Sequence, residues 1–141
     1  MEEVIRARGH EHVSAEHAST FEVTSDDWLT PAGDCILAID ADRTPADFGD
    51  EFVDACQSHD ATITVTVRVD AGERTHEQTV RGRGHPDLTF DGDRSIVFRT
   101  SDYVDDRTGM VGAEHAADGF DDELVSALAD GAELTLTITV A

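Results

Sequence analysis

The sequence predicts a mainly β protein with two helices (α+β), built from two tandem copies of a β-β-β-α-β unit. Pseudo-twofold symmetry would arrange the copies as a closed or nearly closed β-barrel or sandwich. Three observations carry this. The first is internal repetition, the signature to seek before any single element. VIRARGH (4–10) aligns with TVRGRGH (79–85) at an offset of 75, and the match continues ungapped through STFEVTSDDWL (19–29) and RSIVFRTSDYV (94–104). After a three-residue deletion, ADRTPADFGDEFVDA (41–55) aligns with AEHAADGFDDELVSA (113–127), and TITVTVRV (62–69) matches LTLTITV (134–140). The second is strict alternation of apolar and polar residues in that last block of each copy. The third is an apolar face at helical spacing just before it.

Each copy opens on a short strand (4–9; 79–84), followed by a loop and a second strand (19–24; 94–99). A third strand is expected at 35–39 and 108–112, then a helix at 46–57 and 119–129. In the first helix Phe48, Phe52, Val53 and Cys56 share a face, as do Phe120, Leu124, Val125 and Leu128 in the second. The closing strands span 62–69 and 133–140. Ile63, Val65, Val67 and Val69 point one way there, as do Leu134, Leu136, Ile138 and Val140, the period of a half-buried strand. VDAGE (69–73) is a turn signal joining 62–69 to 74–83 in a hairpin. Symmetry then sets 133–140 beside 4–9, with the termini close together. The chain is read as one domain, 1–141, made of repeats at about 4–78 and 79–141.

Composition narrows the setting. There are 31 acidic residues against 10 basic ones, a formal net charge of -21, and every basic residue is Arg. In dilute buffer such an excess repels itself and loosens the compact state. Multimolar salt removes that penalty, because the Debye length falls to about 3 Å near 1 M. The chain therefore reads as a soluble cytoplasmic protein of a halophilic archaeon. MEEVIRARG lacks the pattern of a signal peptide. The longest apolar run, CILAI (35–39), is far too short for a membrane span. Cys35 and Cys56 stand alone, without CxxC spacing, and read as reduced buried thiols.

Against this charge, one basic motif stands out. Residues two apart on a strand share a face, so Arg6, Arg8 and His10 point away from Ile5 and Ala7. Arg81, Arg83 and His85 repeat the arrangement, each His following a Gly (Gly9, Gly84) that permits positive φ or close backbone approach. Arg forks suit phosphate or carboxylate. The competing reading pairs these arginines with local carboxylates. GHEHVSAEH (9–17) also offers His10, His12 and His17 with Glu11 and Glu16, a weak alternative site for a divalent metal, although the spacing matches no zinc motif. No cofactor is expected otherwise. Arg107, in the second-copy loop DDRT, is a candidate partner for Asp34 or for a ligand, with a surface salt bridge as the plainer reading.

The same residues carry a resemblance. GHEH, AEH, TFEVTSDDWLTPAGDCILAI, ADR, TSDYVDDRT and AEHAA together resemble the archaeal domain of unknown function 371 family over nearly the whole chain. The resemblance maps onto Gly9, His10, Glu11, His17, Gly33, Asp34, Asp102, Arg107 and Thr108. His12 stands where the family pattern has Asn, and Arg43 and His115 stand where it has Lys. It implies an archaeal setting and no particular activity.

The reading reached is a non-catalytic binding module for a small anionic, phosphate-bearing ligand or a partner. Its site would draw on Arg8, His10, Glu11, His17, Asp34, Arg83, His85 and Arg107. The alternatives are an enzyme using His10 or His17 with Asp34 or Glu11 as acid/base or metal ligands, and a local RNA contact through the arginines. The net charge argues against broad nucleic-acid binding. Oligomeric state and ligand identity are open at this level.

Overall fold

The computed structural model describes residues 1–141. Its strands form two four-stranded sheets. In the first, β1 (Glu2–Arg8), β8 (Glu133–Val140), β4 (Thr62–Ala71) and β5 (Arg74–Arg83) lie side by side in that order, all antiparallel. In the second, the order is β3 (Ile36–Ala38), β2 (Thr20–Thr24), β6 (Ser95–Arg99) and β7 (Thr108–Met110). The central pair β2–β6 is antiparallel, and each outer strand runs parallel to its neighbour.

Alternation decides which faces meet. Ile63, Val65, Val67 and Val69 are buried, as are Leu134, Leu136, Ile138 and Val140. They join Phe21, Val23, Ile96 and Phe98 of the second sheet in one core cluster of 33 residues. Phe21 stacks on Phe98 with ring centroids 4.8 Å apart and meets Phe120 edge-on at 5.1 Å. The β4–β5 hairpin turns through Gly72 and Glu73. Gly72 has φ 71, the positive value that a two-residue hairpin of this hand needs at its first position. Val140 donates its N–H to the Met1 carbonyl at 3.2 Å, so the termini are adjacent.

Two expectations change. The sheets do not close into a barrel. Their edges touch through one backbone bridge at each corner, Arg8 with Ile39 and Arg83 with Val111, because β3 and β7 are only three residues long. The helices also start later. A 3-10 turn at Pro45–Asp47 is followed by extended Phe48 before α1 (Asp50–Cys56), and Ala117–Gly119 by extended Phe120 before α2 (Asp122–Ala129). Extending the backbone at each Phe drives its ring into the core.

The halves are interlocked bond by bond. Ala46 donates to the Gly92 carbonyl and Asp118 to that of His17, each at a position equivalent to the other. Gly9 lies against the Leu128 carbonyl at the end of α2, and Gly84 against the Cys56 carbonyl at the end of α1. Close approach, not positive φ, is what requires these two glycines.

Candidate functional site

The Arg and His motif is dispersed by the fold. β1 and β5 are the two edges of the first sheet and run antiparallel, so Arg8 and Arg83 occupy diagonally opposite corners. Strand spacing and rise put them roughly 25–30 Å apart. At one corner Arg8 Nε donates to Asp40 at 2.5 Å; at the other Arg83 lies over Gly112, the position equivalent to Asp40, and makes no ion pair. Arg8 and Arg6 line a recess of about 430 Å³ that also holds Asp40, Asp70 and Glu133.

The histidines serve turns rather than strands. His10 Nδ1 accepts the His12 N–H at 3.1 Å, and His85 Nδ1 accepts the Asp87 N–H at 3.0 Å. The His10 carbonyl takes the Val13 N–H, and the His85 carbonyl takes that of Leu88. The Gly-His at 9–10 and again at 84–85 is thus a close packing contact followed by a capped turn. His17 Nδ1 accepts from Ser19 and Thr20, and its backbone N–H reaches the Asp34 carbonyl at 3.3 Å. Glu11 is exposed beside them. The His10 and His12 ring centroids are 5.2 Å apart, yet no three His, Cys, Asp or Glu side chains gather at metal-holding distance anywhere. Arg43 and His115 act as equivalent tethers. Arg43 bonds Glu3 at 2.6 Å, and His115 Nε2 lies 3.1 Å from Gln78 Nε2.

Arg107 leads elsewhere, to the outer face of the second sheet. Because Phe21 and Val23 point inward, β2 must turn Glu22 and Thr24 outward; β6 likewise turns out Ser95, Val97 and Arg99. Glu22 and Val97 are paired directly across β2 and β6. The loop 25–34 then crosses this face, anchored by buried Leu29, and leaves Trp28 55% exposed. Tyr103, at the equivalent place in the other half, is 60% exposed and covers Arg99, whose guanidinium carbon is 4.9 Å from its ring centre. Apart from Met1, these are the only large exposed hydrophobic side chains.

Between Trp28 and Arg107 lies a groove of about 260 Å³, lined by Glu22, Thr24, Asp26, Ile36, Arg94 and Ser95 as well. Arg94 forks onto Asp26 through Nε and Nη2 at 2.8–3.0 Å, leaving Nη1 open; that bond holds the Asp26 carboxyl below its usual range. Arg99 is half-buried, bonding Asp105 at 3.0 Å and Thr108 at 2.9 Å. Burial acts to raise the Asp105 carboxyl, but the Arg107 N–H, the Arg99 charge and Thr108 together hold it low. Arg107 itself is loosely held, with Asp105 at 3.3 Å and Glu22 at 4.0 Å. The Glu22 carboxylate accepts no hydrogen bond, and the side chain is only 13% exposed. Burial pushes its carboxyl above the usual value despite the three nearby arginines.

Four recesses mark the surface, and this one is the smallest. Chemistry selects it over size. The largest, about 610 Å³, gathers five aspartates and no Arg, which repels an anion. A third holds only acidic charge, and the Arg8 recess sets two arginines against three carboxylates. Only the Glu22 groove balances Arg with carboxylate and adds an exposed indole. Reading the sequence missed Glu22, Arg94 and Trp28. The available signal was the matched Trp28 and Tyr103 in the two copies, an exposed pair in a chain that is 6% aromatic.

No helix is long and apolar enough to cross a membrane. Over 140 residues the chain is 39% identical to an uncharacterized protein of the archaeon Methanocaldococcus jannaschii, covering 99% of this chain and 100% of that protein. The model of the family described as domain of unknown function (DUF371) matches residues 5–141. The chain belongs to that family.

Proposed function

We propose that the chain is a non-catalytic binding module for a small anionic, phosphate-bearing ligand, seated in the groove between Arg107 and Trp28. The observation that carries this is Arg107: a half-exposed guanidinium with no contact shorter than 3.3 Å, in the one recess where arginines are not outnumbered. A loosely held fork exchanges a weak intramolecular partner for a bidentate anion at small cost. The surrounding charge of -21 makes such a site selective, since an anion finds few other places to settle. We read the chain as a tandem duplication in a single domain; the recurrence of equivalent bonds in the two halves supports this. A halophilic cytoplasm fits the Arg-only, acid-rich composition.

Calorimetric titration with inorganic phosphate and pyrophosphate in multimolar KCl tests the proposal. Binding is expected, with Arg107→Ala weakening it about tenfold or more, the loss of one charged hydrogen-bonded contact. The double substitution of Arg8 and Arg83 by Ala should leave it unchanged. Loss through Arg8 and Arg83 with no effect of Arg107 would move the site to the sheet corners.

A further inference from the structure

We propose that the groove binds a guanine nucleotide, with the base stacked on Trp28, its N1–H and 2-amino edge on the Glu22 carboxylate, and its phosphate on Arg107 and Arg94. The inference rests on the anion-binding reading above and deepens it. Three features of the groove have no use for a bare anion. Glu22 is a carboxylate that receives no hydrogen bond inside the protein, although it is largely withdrawn from water. Its oxygens stay open to the groove, so a ligand that brings donors engages them without breaking a hydrogen bond inside the protein. A carboxylate accepts through two parallel oxygens, and guanine offers two adjacent N–H groups on one edge, whereas adenine alternates donor and acceptor there.

Trp28 is the second feature. A large apolar ring 55% exposed beside a polar groove is a stacking platform for a planar π-system, worth roughly 1–3 kcal/mol per base. Stacking and short buried hydrogen bonds also survive high ionic strength, where long-range attraction to phosphate is screened. The third feature is size. About 260 Å³ is below the roughly 300–1,000 Å³ of a pocket that encloses a whole drug-sized ligand. It admits a base and leaves the sugar and phosphate at the mouth, where Arg94 keeps Nη1 free and Arg107 is half-exposed.

Trp28 is the only tryptophan, so its fluorescence reports the site directly. Titrations with GMP, IMP, AMP and ribose 5-phosphate in multimolar KCl are compared. GMP should quench Trp28 and bind at least about tenfold tighter than IMP, which lacks the 2-amino donor, and than AMP. Glu22→Gln should erase the preference for GMP over IMP while still binding phosphate, read by calorimetry. Equal binding of all four compounds with dependence on Arg107 overturns the guanine assignment and leaves the anion site standing. No binding by any of them, phosphate included, overturns both. A guanosine-ended ribotrinucleotide titrated beside GMP fixes the source: tighter binding of the trinucleotide assigns the guanine to an RNA end, and equal or weaker binding to the free nucleotide.

Discussion

Gly9→Ala tests the interlock that holds the two sheets and the helices in register. A Cβ at this position would overlap the Leu128 carbonyl oxygen and come within 2.6–2.7 Å of its carbonyl carbon and Cα. Carbon contacts are comfortable only at about 3.5–4.0 Å, so the end of α2 must retreat by roughly 1 Å. Leu128 is fully buried, and Gly9 N–H donates to the Ala132 carbonyl at 2.8 Å just beyond it. Retreat therefore loosens a core side chain and stretches a hydrogen bond. Overpacking costs about 1–3 kcal/mol and the bond about 1 kcal/mol, together about 3 kcal/mol. For a chain of this size that lowers Tm by about 10 °C in thermal unfolding followed by circular dichroism. Gly131→Ala is the control, since Gly131 has φ 87 but open space around it. There only backbone strain acts, about 1 kcal/mol. If Gly9→Ala proves no worse than Gly131→Ala, close approach is not what the glycine provides.

Other outcomes follow from the groove and the core. Glu22 is raised by burial, so its contribution to stability is present below its unfolded value near 4.5 and lost as pH rises through the folded one. Glu22→Gln should accordingly gain on the wild type as pH rises above about 4.5 in paired melts; a constant difference would contradict the buried carboxylate. Asp26 and Asp105 run the other way, contributing stability above about 3.8 that is lost as pH falls through their lowered values. The Cys56 thiol is fully buried and pushed up to about 12, so it should resist a disulfide-exchange reagent at pH 8 until the protein unfolds. Rapid modification of Cys56 in the native state would contradict that burial. Asp40→Asn removes the charge of an exposed partner of Arg8 while keeping a residue that tolerates the positive φ of 55 there, and should cost no more than about 0.5 kcal/mol in chemical denaturation.

The strands were legible because their period is local. Each alternating Ile or Val in 62–69 states its own face, and the hairpin follows from one Gly. The similarity of the two halves of the sequence also points to β8 lying beside β1, as it does. What could not be read was pairing at a distance. Nothing local in TFEVT says that it pairs with SIVFR rather than with its own neighbours, and that pairing creates the outer face. Helix starts were misplaced because Phe48 and Phe120 fit an apolar helical stripe equally well while serving the core in extended backbone. The Gly-His motif misled for a related reason. Repetition marks whatever both halves need, and both need a helix end packed on a strand end and a capped turn. Glu22 and Arg107 are not repeated; Val97 and Cys35 hold the equivalent places.

Because Gly9 meets α2 and Gly84 meets α1, a half-length chain would find its missing contacts only in a second molecule of itself. Such a pair would present one identical dyad surface, with the same residue on both sides of the axis. With both sides in one polypeptide, the two are free to differ, as Glu22 and Val97 do. A carboxylate then sits across from a valine, and the lopsided guest we propose, polar at one end and charged at the other, would have a single way to lie down.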